Sequence, residues 1–110
     1  MQITTRQSVN AIVLDLVGDI DLHNSPQVRR VILEALRQKN TPRVVVNLKA
    51  VRYIDSSGVA SLVEGLKVSR ELGLRLILYG LSPAAREVLE LSRLIRVFEV
   101  YENEEQALAS

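Results

Sequence analysis

Short apolar runs alternate along this chain with stretches in which apolar residues return every third or fourth position. Ala11 to Val17 reads as a strand, and Gly18 is expected to end it. Asp19, Ile20 and Asp21 follow, then a loop through His23 and Asn24. Ser25-Pro26 has the form of a helix start, a capping serine with proline at the first helical position. Val28, Val31, Ile32, Ala35 and Leu36 recur at helical spacing as one apolar stripe, and Asn40-Thr41-Pro42 is expected to stop that helix. Val44, Val45, Val46 and Leu48 form a nearly continuous apolar run, the pattern of a strand covered on both faces.

The second half repeats the alternation. After Ile54 and Asp55-Ser56-Ser57-Gly58, the residues Val59, Leu62, Val63 and Leu66 fall at helical spacing, and Gly73 ends that helix. Leu74 to Tyr79 is the next strand, closed by Gly80. Ser82-Pro83 repeats the cap-plus-proline start, with Ala84, Val88 and Leu91 on one face and with Leu91, Leu94 and Ile95 expected to pack on the sheet. A last short strand is expected around Val97 and Phe98, and a terminal helix over Glu104 to Leu108. Ile3 to Arg6 suits an antiparallel edge strand. Strands that alternate with helices imply parallel neighbours joined by crossovers. The expected architecture is a single α/β domain over residues 1–110, with a mixed, mostly parallel sheet of four to five strands and helices packed on it.

Composition narrows the function. With 110 residues and 47% hydrophobic content, the chain can bury a core without a covalent staple. It has no cysteine, which excludes disulfides and cysteine-built metal sites. A formal net charge of +1 argues against an electrostatically driven nucleic-acid binder, and 4% aromatic residues argue against a base-stacking surface. No segment approaches the roughly 20 apolar residues that span a bilayer, so the expectation is a cytoplasmic protein without direct membrane insertion. His23 is the only histidine and there is no cysteine, which argues against a metal cluster built on them. Ser56, His23 and Asp21 make a triad on paper, but no G-x-S-x-G elbow supports it, and the expectation is that the protein is not an enzyme. The five glycines form neither G-x-G-x-x-G nor a phosphate-cradling loop with lysine. Arg29, Arg30, Lys67, Arg70, Arg86 and Arg93 fall on predicted helices as solvated faces.

The segment Val51 to Gly58 lies between a strand and a helix, where open α/β sheets place their sites. A helix N-terminus offers unpaired N–H groups and a partial positive charge, and Asp55 is placed to cap it. Ser56 then stands in the first turn with its hydroxyl toward solvent. Ser57 is expected to be less exposed and bonded to backbone. Gly58, without a side chain, is expected to let a partner approach closely. The same four residues also spell a plain capped helix start.

Asp55-Ser56-Ser57-Gly58-Val59 after Ile54 resembles the signature of the STAS family, in particular of bacterial anti-sigma factor antagonists. Gly18-Asp19-Ile20-Asp21 resembles that family's segment after the first long strand, and Gly80-Leu81-Ser82-Pro83 its later strand-to-helix turn. The resemblance covers nearly the whole chain. It implies Ser56 as a phosphate acceptor, with Asp21 as the acidic residue beside it. It also implies a binding module that docks on a GHKL-type serine-kinase anti-sigma factor when unphosphorylated and is released on phosphorylation. Asp19, Asp21, Asp55, Ser56, Ser57 and Gly58 are the expected partner-binding residues. No cofactor is expected, since ATP and magnesium belong to the kinase. A stand-alone STAS protein can alternatively imply a cytoplasmic subunit bound to the permease or ATPase subunits of a lipid-transport ABC complex, or a stressosome-like scaffold subunit.

The expected switch is electrostatic. A phosphate adds roughly −1.5 to −2 charges. The helix N-terminus is expected to tolerate it through free N–H groups, so that the effect falls on the docked partner and not on the fold.

Overall fold

A computed structural model describes residues 1–38 and 41–110. Five strands and four helices follow in the order β1 (Gln2–Ser8), β2 (Ala11–Ile20), α1 (Ser25–Leu36), β3 (Arg43–Ile54), α2 (Ser56–Glu71), β4 (Arg75–Tyr79), α3 (Pro83–Leu91), β5 (Glu99–Tyr101) and α4 (Glu104–Ala109). The sheet runs β1-β2-β3-β4-β5, antiparallel between β1 and β2 and parallel elsewhere. Sheet order thus equals chain order, and each parallel step is made by one helix.

The two faces of the sheet divide the apolar residues by strand periodicity. On one face, Ile12, Leu14, Leu16 and Ile20 of β2, Val44, Val46, Leu48, Val51 and Ile54 of β3, and Leu76 and Leu78 of β4 form the main core. α1 adds Val28, Ile32 and Leu36, α2 adds Val59, Leu62 and Leu66, and α3 adds Ala85 and Leu89. On the other face Ala11, Val13, Val45, Ile77 and Tyr79 make a smaller cluster, closed by Ala107 of α4. The continuous valine run in β3 reflects this double covering, as its composition indicates.

Several boundaries differ from the sequence reading. β2 does not stop at Gly18. Its register with β3 shifts between Gly18 and Asp19, Gly18 takes φ +116, and the strand resumes through Ile20. β3 likewise runs through Val51–Ile54, so those residues are strand and not linker. Ser25 does not cap α1. It is a buried residue inside the helix, Asn24 holds the cap position, and the Asn24 amide is spent on the Asp19 carbonyl (2.8 Å). α1 ends at Leu36 with Arg37 at its C-cap, ahead of the expected stop, of which Asn40 lies outside the described residues.

On α3, Ser82 caps as expected by accepting from Ala85 N–H (3.1 Å); Val88 packs against the core as expected, but the fully buried positions are Ala85 and Leu89. Leu91 points to solvent, whereas Leu94 and Ile95 do pack against the core. The last strand forms at Glu99–Tyr101, just beyond Val97 and Phe98, and the Phe98 ring is buried.

Candidate functional site at the N-terminus of the second helix

β2 and β3 end side by side, Asp19 opposite Tyr53 and Ile20 opposite Ile54. The chain leaves β3 at Asp55 and turns at once into α2. Asp55 N–H donates to the Ile20 carbonyl (3.1 Å), which fixes the turn against the end of β2. Asp55 has extended backbone (φ −104, ψ −173) and caps the helix. Its Oδ1 accepts from the N–H groups of Ser57 (3.0 Å) and Gly58 (3.1 Å) and from the Ser57 hydroxyl (2.5 Å). Its Oδ2 accepts from Leu22 N–H (3.2 Å), tying the loop after β2 to the first turn of α2. The Ser57 hydroxyl, followed by the N–H groups of Gly58, Ser57 and Leu22, holds the Asp55 carboxyl below the usual carboxylate range.

Ser57 therefore bonds a side chain and not the backbone. Ser56, one residue earlier, is exposed, and among the described residues its hydroxyl makes no hydrogen bond. The two serines thus differ in chemistry: one hydroxyl is committed to the cap and the other is free.

The N–H groups expected to welcome an anion are largely occupied. Asp55 N–H goes to Ile20, and those of Ser57 and Gly58 go to the Asp55 carboxylate. A second anion at Ser56 meets a helix terminus already neutralised by a carboxylate, which corrects the expectation of a receptive N-terminus.

Gly58 is buried, contrary to the expectation of an exposed glycine. A Cβ there would come within 2.7 Å of Ile20 Cγ2, 2.8 Å of Ile54 Cγ1 and 2.9 Å of the Ile20 carbonyl oxygen. Its missing side chain seats the helix on β2 and β3 and does not open the backbone to a partner. Further along the same helix, the Ser61 hydroxyl lies 3.1 Å from both the Ser57 and Ser25 carbonyl oxygens, fastening the first turn of α2 to the start of α1.

The acidic residues separate into two groups. Asp21 and Asp55 line one shallow open depression with Leu22, His23 and Tyr53. Asp21 folds its own loop, its Oδ1 accepting from His23 N–H and Asn24 N–H, both at 3.0 Å. Asp19 lies outside that depression and pairs with Arg52 on the neighbouring strand (3.5 Å). Around the site stand apolar side chains that the sequence reading did not select. Leu22 is 76% exposed and Tyr53 52%. Tyr53 also walls a second depression with Ile54, Ala84, Glu87, Val88 and Leu91, and Leu91 is 78% exposed. Strand alternation carried no signal for Tyr53, since it breaks at this end of β3: Val51 and Ile54 are both buried, and Arg52 and Tyr53 between them are both exposed.

The model of the STAS domain matches residues 2–107 of this sequence. The chain belongs to the STAS domain family. Among curated relatives, this STAS domain is 27% identical to the anti-sigma F factor antagonist of Paenibacillus polymyxa over 98% of the chain and 92% of the relative. It is 31% identical to the anti-sigma-B factor antagonist of Staphylococcus aureus over 80% of the chain and 81% of the relative. Among solved structures, it superposes on the phosphorylated form of the Bacillus cell fate determinant SpoIIAA with a TM-score of 0.75 and 26% identity, over 98% of this chain and 97% of the other. The five-stranded mixed sheet with its helices is the fold these STAS structures share. Among the described residues no helix is long and apolar enough to cross a membrane, and no group of three or more His, Cys, Asp or Glu side chains is placed to hold a metal ion.

Proposed function

We propose that this chain is an anti-sigma factor antagonist that binds a serine-kinase anti-sigma factor and is released when Ser56 is phosphorylated. The observation that carries the reading is the exposed, unbonded Ser56 hydroxyl beside an Asp55 carboxylate already bound to Ser57. The relatives named anti-sigma factor antagonists and the phosphorylated SpoIIAA structure support it. In this reading the protein is a binding module and not an enzyme. The kinase supplies ATP and magnesium: the Ser56 oxygen bonds to the γ-phosphorus as the bond from that phosphorus to the β-phosphate oxygen breaks, ADP leaves, and the hydroxyl proton is released.

Docking uses Leu22, Tyr53 and the free Ser56 surface, with Asp21 and Asp55 as fixed negative charge and Asp19 held aside by Arg52. A phosphate on Ser56 stands next to the Asp55 carboxylate and finds few unpaired N–H groups to receive it. Its charge and bulk are therefore directed at the partner, where close approach is lost.

The test is a capture experiment from native lysate with wild type and Ser56→Asp, with mass spectrometry of the bound proteins and of residue 56. Capture of a GHKL-type serine kinase by wild type alone, with phosphate on Ser56, is the expected result. Capture of transporter subunits by both forms, with Ser56 unmodified, contradicts the reading.

A further inference from the structure

The sheet ends on two unequal edges. β5 is three residues long, and brevity is one way in which an open sheet blunts an edge. β1 is seven residues long and pairs with β2 through seven consecutive residue pairs without a bulge. Among the described residues, no backbone hydrogen bond outside that ladder involves Gln2–Ser8, so the outward N–H and C=O groups of β1 are unpaired.

Other edge defences are missing as well. Gln2–Ser8 contains no proline and no glycine, and Arg6 is its one charged residue. The Arg6 guanidinium is neutralised inside the chain. It donates to both oxygens of Asp15 (2.5 Å and 3.0 Å) and pairs with Glu104 of α4. Ile3, Thr4 and Thr5 are β-branched, as pleated strands favour. The outcome is a long, regular edge with its charge quenched.

Such an edge is complementary to itself. Alternate residues of an edge strand turn their backbone groups outward, so two antiparallel copies can pair residue i with residue j only where i + j is even. The register centred on Thr5 uses all of Gln2–Ser8. It sets Thr5 against Thr5, Thr4 against Arg6, Ile3 against Gln7 and Gln2 against Ser8, with no like charges opposed. Beside this edge runs a groove lined by Ile12, Val31 and Ala35, bordered by Thr5 and Gln7 of β1 on one side and by Glu34 and Gln38 of the α1 side on the other. Directly opposed residues share a face of the sheet, so Ile3 and Thr5 of the second copy shelter that groove from its open side.

We propose that β1 is a contact surface for a second copy of this chain, joined antiparallel about a two-fold axis at Thr5 so that the two five-stranded sheets become one. The contact is isologous and closes on itself, giving a dimer and not a filament. It is one strand wide, so the dimer is concentration-dependent and weak beside interfaces of about 1,600 Å². The proposal does not rest on the proposed function.

The chain has no cysteine, so an introduced one is its only thiol. Thr5→Cys and Ser8→Cys are oxidised mildly side by side. Thr5→Cys places two thiols face to face and is expected to give a disulfide-linked dimer. Ser8→Cys faces Gln2 and is expected to lag far behind. In sedimentation, wild type is expected to shift toward dimer with concentration, and Thr5→Lys, which opposes two ammonium groups, to lose the shift. Equal cross-linking of the two cysteine variants, or a wild type that remains monomeric at its highest attainable concentration, overturns the proposal.

Discussion

The Asp55 carboxylate and the Ser57 hydroxyl lie 2.5 Å apart, and that bond distinguishes two adjacent serines. Ser57 is the donor that secures the helix cap, while Ser56 keeps a free hydroxyl at the surface. Replacing Ser57 by alanine removes the largest influence lowering the Asp55 pKa. In Ser57→Ala the Asp55 carboxyl is expected to titrate closer to the ordinary aspartate range while Ser56 remains modifiable. Carboxyl ¹³C shifts followed against pH check the first point, and intact mass after kinase treatment checks the second. An unchanged Asp55 titration contradicts the bond's role.

Gly58 is required by packing. Gly58→Ala pushes a methyl group against Ile20 and Ile54 and against the Ile20 carbonyl, which no side-chain rotation relieves. The expected cost is about 1–3 kcal/mol, read from the midpoint of urea unfolding. A neutral substitution would show that the helix can lift off the strands freely.

Tyr53 walls both depressions, the one it shares with Asp21 and Asp55 and the one it shares with Leu91, and is half-exposed. If these surfaces receive the partner, Tyr53→Ala removes an aromatic anchor. The expected loss is about 2 kcal/mol of binding, roughly thirtyfold in Kd, with unfolding midpoints unchanged. Calorimetric titration with the captured partner reads the first quantity and urea unfolding the second.

Acid sensitivity is expected from the opposite face of the sheet. Arg6 hydrogen bonds lower the pKa values of both Asp15 and Glu104, with Asn47 and Lys49 assisting at Asp15 and Tyr79 at Glu104. The Tyr79 hydroxyl, on a buried side chain and bonded to Glu104, is in turn pushed up to about 12. Carboxylates with lowered folded pKa values stabilise fully above their unfolded value of about 4 and lose that contribution as pH falls through the folded values. Stability is therefore expected to fall on the acid side below about pH 4. Arg6→Gln is expected to flatten that acid limb, as measured by urea unfolding at a series of pH values.

The alternation of β-branched runs with helical stripes carried the fold, because each strand and helix obeys its own period and the helix caps at Asp55 and Ser82 are local. Gly18 and Ser25 misled for a common reason: tertiary context decided both. Gly18 supports a bulge inside a strand held by β3, and Ser25 lies buried in a helix whose preceding residue, Asn24, bonds back to Asp19. The inward setting of Gly58 was not legible either, since it depends on Ile20, far off in sequence. Nor was the pairing of Asp19 with Arg52, which needs the β2–β3 register. Ser56 was legible, because its exposure follows from standing just after a capping aspartate.

The most direct test of the central claim is the Kd of the purified serine-kinase partner for this protein with Ser56 unmodified and with Ser56 phosphorylated. Tight binding of the unmodified form is expected, with a loss of about 3 kcal/mol, roughly a hundredfold in Kd, on phosphorylation and an unchanged circular dichroism spectrum. Equal affinity for the two forms, or a spectrum that melts on phosphorylation, would contradict it.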